Sequence, residues 1–206
     1  MEKIMFTDYT LDKFIAPKLS ELTQCNIPDV SDKFKELTSL IDAFILNSIF
    51  TNCYNNDGIP FMFFYLRRAE AAYREFHFSR IVLLRYLEVK RENFSLYFET
   101  LFHIETCIAQ LWQAILQFNS LISKATGKKE RIYKKGESSY YERINLLYNA
   151  SRYAGEDNIP DKATIPVWIT NTGVEGKNAV VSYDELFSAL NEVIDFATRV
   201  AYRKMS

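Results

Sequence analysis

The stretch NFSLYFETLFHIETCIAQLWQAILQFNSLISK, residues 93–124, decides the fold class. Its large apolar residues recur at alternating intervals of three and four, and they are Phe94, Tyr97, Leu101, Ile104, Ile108, Leu111, Ile115, Phe118 and Ile122. This spacing places them on one face of a helix, as in the packing seams of helical bundles. We therefore expect a long bundle helix here.

A second apolar stripe runs beside the first and consists of Phe98, Phe102, Ala109, Trp112 and Leu116. Because the helix is then apolar over more than one face, it is expected to lie centrally, with neighbours on two sides. Glu105 interrupts this stripe, and a buried charge is costly unless it is partnered. One interpretation is that Glu105 pairs with Arg80, a tyrosine or Arg152. The other is a carboxylate at the edge of a cleft.

Similar patterns extend the bundle in both directions. Residues 11–25 are expected to form a helix bent at Pro17, and further helices are expected from Ser31 to about Thr51, from Pro60 to about Arg91 and from about 138 to Gly155. Ser182 and Glu185 form a capping box for a final helix. Residues 158–181 contain two prolines and two glycines around TIPVWIT, which predicts an irregular loop with a short strand or hairpin. The predicted fold class is all-α: a bundle of five or six helices with a long irregular loop before the last.

Composition limits the classes of function. The 206 residues suit one domain, and a net charge of −1 provides no overall attraction to nucleic acid or membrane. A cytoplasmic protein is favoured by the three cysteines, which include no Cys-x-x-Cys pair, and by the absence of a signal-peptide pattern. The apolar runs are too short for a membrane helix, so we expect no membrane contact. With only His77 and His103, no Glu-x-x-His motif and no glycine-rich phosphate loop, we expect neither metal nor cofactor.

Two polar features are candidate sites. The predicted helix SSYYERINLLYNASRYAGED, residues 138–157, aligns Glu142, Asn145, Asn149, Arg152 and Glu156 along one face. Just before it, Tyr133 lies within a basic cluster made of Lys124, Lys128, Lys129, Arg131, Lys134 and Lys135. Such a cluster can neutralise several RNA phosphates, although lysine-rich loops also serve solubility alone.

The order of these elements resembles the HEPN-like superfamily of bacterial all-α domains. The similarity covers about residues 60–202 and rests on LYFETLFHIETCIAQLWQAI, YYERINLLYNASRYAGED and TIPVWITNTGV, followed by the capped last helix. Residues 1–55 would be additional N-terminal helices. Families of this kind carry an Arg-Asn pair and, after a short gap, a His near the end of the penultimate helix. In active members the Arg and the His cleave RNA without metal, usually across a dimer interface; related families carry Asn-x-x-Lys-His there.

Aligned with those motifs, Asn149 takes the Asn position, Tyr148 the Arg position, Arg152 the Lys position and Tyr153 the His position. Tyrosine titrates near pH ~10 and is a poor general base at neutral pH, which argues against ordinary ribonuclease catalysis. The resemblance therefore implies a dimeric binding or interaction module of a bacterial defence, toxin–antitoxin or stress system. Its expected binding residues are Asn145, Asn149, Arg152, Tyr153 and Glu105, together with the loop cations Lys128, Lys129, Arg131, Lys134 and Lys135.

Two alternatives remain open. In the first, the chain is a metal-independent endoribonuclease or a nucleotide-modifying enzyme. Its catalytic candidates are Arg152, which would stabilise phosphate charge, and Tyr153, which would donate a hydrogen bond beside Asn149. In the second, the chain is a companion subunit of a nucleotidyltransferase, as some HEPN-like bundles are.

Overall fold

A computed structural model of the chain describes residues 7–37, 40–51, 58–89, 93–129, 131–153, 159 and 164–202. These residues form seven α-helices, one short 3-10 helix (Leu19–Glu21) and one three-stranded sheet. The helices are α1 (Asp8–Phe14), α2 (Ser31–Leu37), α3 (Leu40–Thr51), α4 (Ile59–Glu88), α5 (Phe94–Thr126), α6 (Tyr140–Arg152) and α7 (Tyr183–Tyr202); the strands are β1 (Val167–Ile169), β2 (Gly173–Gly176) and β3 (Ala179–Ser182). The expected helical bundle is confirmed.

The core of the bundle is the antiparallel pair formed by α4 and α5. Most of the first apolar stripe of α5 is buried, with Tyr97, Leu101, Ile104, Ile108, Leu111 and Ile115 each less than one-tenth exposed. The last helix, α7, packs against α4, where the Tyr65 hydroxyl donates a hydrogen bond of 2.7 Å to the carbonyl of Val193. The rings of Phe118 and Phe196 meet at 4.6 Å between α5 and α7. The three-and-four spacing therefore identified the central seam correctly.

Helix α5 packs against α4, α6 and α7, as its two apolar stripes predicted, but the second stripe is only partly covered. Trp112 is buried beneath the loop before α6, with its ring 6.0 Å from that of Tyr133. Phe98 and Phe102 are 44% and 61% exposed. Helix α6 has only 13 residues, against 33 in α5, so it is too short to cover the full stripe.

The N-terminal region differs in detail from the sequence pattern. The helix expected through residues 11–25 ends at Phe14, and Lys18 beyond Pro17 has a left-handed backbone with φ of 59°. Proline lacks the amide hydrogen that would continue a helix, so the chain turns here instead of bending. The helix expected from Ser31 to Thr51 corresponds to α2 and α3, and residues 38–39 lie outside the described ranges.

The irregular segment before α7 contains the expected hairpin and extends it into an antiparallel sheet in the order β1-β2-β3. Val167 pairs with Gly176 across the first pair of strands, and Gly173 pairs with Ser182 across the second. A Cβ atom on Gly173 would lie 2.3 Å from the carbonyl oxygen of Val181, so the close strand approach requires glycine. The predicted capping box is confirmed: the Ser182 amide donates to Glu185 Oε2 at 3.0 Å, and the Glu185 amide donates to Ser182 Oγ at 3.1 Å.

The described helices include none with the length and hydropathy needed to cross a membrane.

Candidate functional site

The loop between α5 and α6 is anchored at its middle. Helix α5 ends at Gly127, whose φ of 67° is left-handed and suits glycine. Ile132 and Tyr133 then turn inward, half-buried, and pack against the core. These two contacts hold the loop in one position on the surface of α5.

The end of the same loop is bound by the first turn of α6. Glu142 is a carboxylate only 7% exposed, and it accepts hydrogen bonds from the backbone amides of Gly136 at 2.5 Å and Ser138 at 2.8 Å. Gly136 and Ser138 both have positive φ, of 85° and 57°, which turns their amides toward one acceptor. Ser139 caps the helix by accepting from the Glu142 amide at 3.3 Å. Glu142 is therefore a structural residue of the loop and is not part of a wet helix face.

The basic loop, whose described residues are 128–129 and 131–135, displays exposed cations on this frame. They are Lys128, Lys129, Arg131, Lys134 and Lys135, and none of them forms a salt bridge with another residue in the described ranges. Glu137 follows the loop, and its pKa is lowered mainly by the hydroxyl of Ser139 and less by Lys134. Lys124, the sixth residue of the predicted cluster, differs because its ammonium lies 3.6 Å from the ring centroid of Phe61. The loop thus carries a local positive charge on a nearly neutral protein.

Tyr133 connects the basic loop to the polar face of α6. Asn145 Nδ2 donates a short hydrogen bond to the Tyr133 hydroxyl, and Asn149 Nδ2 donates to Asn145 Oδ1 at 3.3 Å. Both asparagines are half-buried. The structure therefore brings together two of the predicted helix residues and the loop in one continuous polar surface. Glu156, at the far end of the predicted row, lies outside the described residues.

The end of α6 carries a second polar assembly. Tyr148, which is buried, accepts a hydrogen bond from Gln113 Nε2 at 3.1 Å and another from the Arg152 guanidinium. That guanidinium lies 5.8 Å from the ring of Tyr148 and 5.5 Å from the ring of Tyr153. The pKa of Arg152 is raised, first by its bond to Tyr148, so the group stays charged. Arg152 is exposed and Tyr153 is 60% exposed, so both reach the surface.

A concavity lies between α6 and the turn joining β2 to β3. It has a volume of about 360 Å³, and its walls include Arg143, Leu146 and Lys177. Arg143 is held there by an ion pair with Glu185 and by donating to the carbonyl of Val180 at 3.2 Å. A smaller hollow of about 50 Å³ continues from it and reaches Asn149. Of the predicted residues, Asn149 therefore borders a hollow, and Arg152 and Tyr153 lie on open surface.

Glu105 has no hydrogen bond or ion pair with any described residue. It is half-buried on α5, and burial raises its pKa to about 7. Arg80, one of its expected partners, instead donates to the carbonyl of Ile27 at 3.1 Å and lies 3.4 Å from Asp29. Among the described residues Glu105 therefore forms no hydrogen bond or ion pair with the α6 surface, and the expected Glu105–Arg80 pairing is wrong.

A pairing between α4 and α5 was not apparent from the sequence. His103 Nδ1 lies 2.6 Å from Glu75 Oε2, and Arg74 Nε lies 3.3 Å from the other oxygen of that carboxylate. The partner of His103 is therefore on the neighbouring helix. Only the register of the antiparallel helix pair could have revealed this contact.

Comparison of the chain with protein-family models, curated proteins and solved structures found no match. The class of protein that the fold and the surface define is an all-α bundle with a small sheet and an ordered basic loop.

Proposed function

We propose that this chain is a non-catalytic RNA-binding module that holds its ligand through phosphate contacts at the basic loop. The observation that supports this is the set of five loop cations displayed by an ordered loop without carboxylate partners among the described residues. An ion pair inside the protein would neutralise such cations, and the described residues provide none to these five, which favours contact with phosphate oxygens.

The order of the loop favours binding over a role in solubility alone. Glu142, Ile132 and Tyr133 fix its backbone, so less conformational entropy is lost when a ligand binds. The polar row of Asn145 and Asn149 extends the surface with amide groups able to hydrogen-bond sugars, phosphates or bases. A purely solubilising lysine cluster needs neither an anchored backbone nor a connected polar row.

The non-catalytic part of the proposal depends on Tyr153. In the resemblance to HEPN-like domains, the general base would occupy this position, and a tyrosine hydroxyl is protonated at neutral pH. We extend the proposal to a cytoplasmic protein of a bacterial defence, toxin–antitoxin or stress system that acts as a homodimer or with a partner protein. This extension rests on the resemblance alone.

The test is RNA binding as a function of salt. A short fluorescein-labelled single-stranded RNA is titrated with protein, and anisotropy is followed from 50 to 200 mM salt. Each phosphate contact to single-stranded RNA contributes about −0.7 to the slope of the logarithm of the association constant against the logarithm of salt concentration. If all five loop cations contact phosphates, the slope is therefore about −3.5. Lys128→Gln/Lys129→Gln is expected to reduce that slope to about −2.1.

The matched control is Arg67→Gln/Arg85→Gln, which removes two exposed cations from α4, far along the chain from the loop. It is expected to leave the slope unchanged. RNA binding that does not depend on salt, or that weakens equally in both double variants, contradicts phosphate contact at the loop.

A second candidate function, RNA cleavage, is favoured by the exposure of Arg152 and Tyr153 on the same surface. Labelled total RNA incubated without metal tests it. Cleavage by the wild type that is lost in Arg152→Ala would establish an enzyme and overturn the non-catalytic proposal. The nucleotidyltransferase-companion alternative stays a prediction; co-purification with such an enzyme would support it.

A further inference from the structure

The exposed end of α6 combines a planar cation with an aromatic ring. Arg152 is positioned by its hydrogen bond to the buried Tyr148, which Gln113 holds in turn. Its guanidinium carbon is 5.5 Å from the ring centroid of Tyr153, a cation–π distance. We refer to Arg152 and Tyr153 together as the platform: an anchored guanidinium beside a tyrosine that is 60% exposed.

An exposed tyrosine beside an anchored arginine is suited to one kind of ligand surface. Nucleic-acid bases stack on aromatic rings and on guanidinium planes, and such stacking tolerates any base because every base has a π face. Arg152 has further guanidinium donors, which make no hydrogen bond within the described part of the chain, and a guanidinium fork is suited to a neighbouring phosphate.

The distance to the basic loop fits a single connected ligand. Tyr133 anchors the loop at Asn145, and Tyr153 follows Asn145 by eight residues, which is about 12 Å along the helix at 1.5 Å per residue. A strand whose phosphates lie on the loop can thus reach the platform within a few nucleotides. In a duplex, each base is already stacked and paired, so it could not reach Tyr153 without leaving the helix.

We propose that Tyr153 and Arg152 form a stacking platform for one unpaired base, which makes the module selective for single-stranded over double-stranded RNA. This inference rests on the proposed RNA-binding function and adds the class of RNA and the residue that selects it. The loop supplies affinity that depends on charge, and the platform supplies the preference for an unpaired base.

The experiment compares one labelled RNA as a single strand and annealed to its complement, at fixed salt. Tyr153→Ala is expected to weaken single-strand binding by about 5- to 150-fold, the equivalent of 1–3 kcal/mol for one stacked base. Tyr153→Phe keeps the ring and is expected to bind as the wild type does. Duplex binding is expected to be the same in all three proteins, and the salt slope of Tyr153→Ala is expected to match that of the wild type.

The matched control is Tyr202→Ala, which removes another partly exposed tyrosine, 44% exposed at the end of α7. It should bind both RNAs normally. Salt-dependent RNA binding that Tyr153→Ala leaves intact, or weakens equally for duplex and single strand, overturns the platform while the proposed function stands. RNA binding that is absent or independent of salt and of the loop lysines overturns both. If Tyr153→Phe is as weak as Tyr153→Ala, the hydroxyl rather than the ring makes the contact, and the stacking inference fails.

Discussion

Glu142 holds the basic loop against the first turn of α6, and its removal should lower the free energy of unfolding by an amount that can be estimated from its hydrogen bonds. In Glu142→Ala the amides of Gly136 and Ser138 lose a nearly buried carboxylate acceptor. Hydrogen bonds to charged groups contribute about 1.5–3 kcal/mol each. The loop is partly exposed, so water will replace some of the loss. We therefore expect the free energy of unfolding to fall by about 2–4 kcal/mol, which is near the lower end of the summed contribution of the two hydrogen bonds.

The measurement is urea unfolding followed by circular dichroism at neutral pH, with the slope of free energy against urea checked for constancy. Glu142→Gln, which keeps one acceptor oxygen, should lose less than Glu142→Ala. The control is Glu137→Ala, because Glu137 is an exposed carboxylate whose side chain accepts from the Ser139 hydroxyl at 2.7 Å; it should cost less than about 0.5 kcal/mol. If Glu142→Ala is no more destabilising than Glu137→Ala, the carboxylate does not hold the loop.

Two further predictions concern His103 and Glu105, two ionisable residues of α5. His103→Ala should lower the free energy of unfolding by about 2–4 kcal/mol, because it leaves the buried carboxylate of Glu75 with Arg74 alone. Thermal unfolding of His103→Ala, compared with that of His103→Ala/Glu75→Leu, checks this. A double variant less stable than the single one would contradict it. The pKa of Glu105 is about 7 in the folded chain against an ordinary value of 4.5, so folding binds a proton and stability should fall as pH rises from about 4.5 to above 7. Glu105→Gln removes that penalty and should stabilise the protein by about 1–2 kcal/mol at pH 8, and by almost nothing at pH 4. Equal gains at both pH values would show that ionisation of Glu105 is not the cause.

The sequence predicted the parts of the fold that local periodicity determines. The core seam of α5 and the capping box at Ser182 and Glu185 follow from spacing and hydrogen-bonding capacity within one helix, and the structure has both. The hairpin before α7 was indicated by β-branched residues and glycines. Its third strand was not indicated, because strands of three or four residues are too short to show a clear alternating pattern.

The residue types of the candidate site could be predicted from the sequence, but their arrangement in space could not. The lysines of the loop are visible in the sequence, whereas their frame depends on Glu142 turning back to Gly136 and Ser138. The sequence grouped Glu142 with the polar row because helical spacing cannot tell a buried carboxylate from an exposed one. In the same way, the Glu75–His103 contact and the separation of Arg80 from Glu105 depend on how helices are placed against each other.

Phosphate contact at the basic loop is decided by the salt dependence of RNA binding. Wild-type protein and Lys128→Gln/Lys129→Gln are titrated into the same single-stranded RNA across the same range of salt. Affinity is expected to decrease steeply with salt in the wild type, and the slope is expected to be shallower by about 1.4 in the variant, because two phosphate contacts are removed. Equal slopes in the two proteins, or no RNA binding at low salt, would contradict that contact.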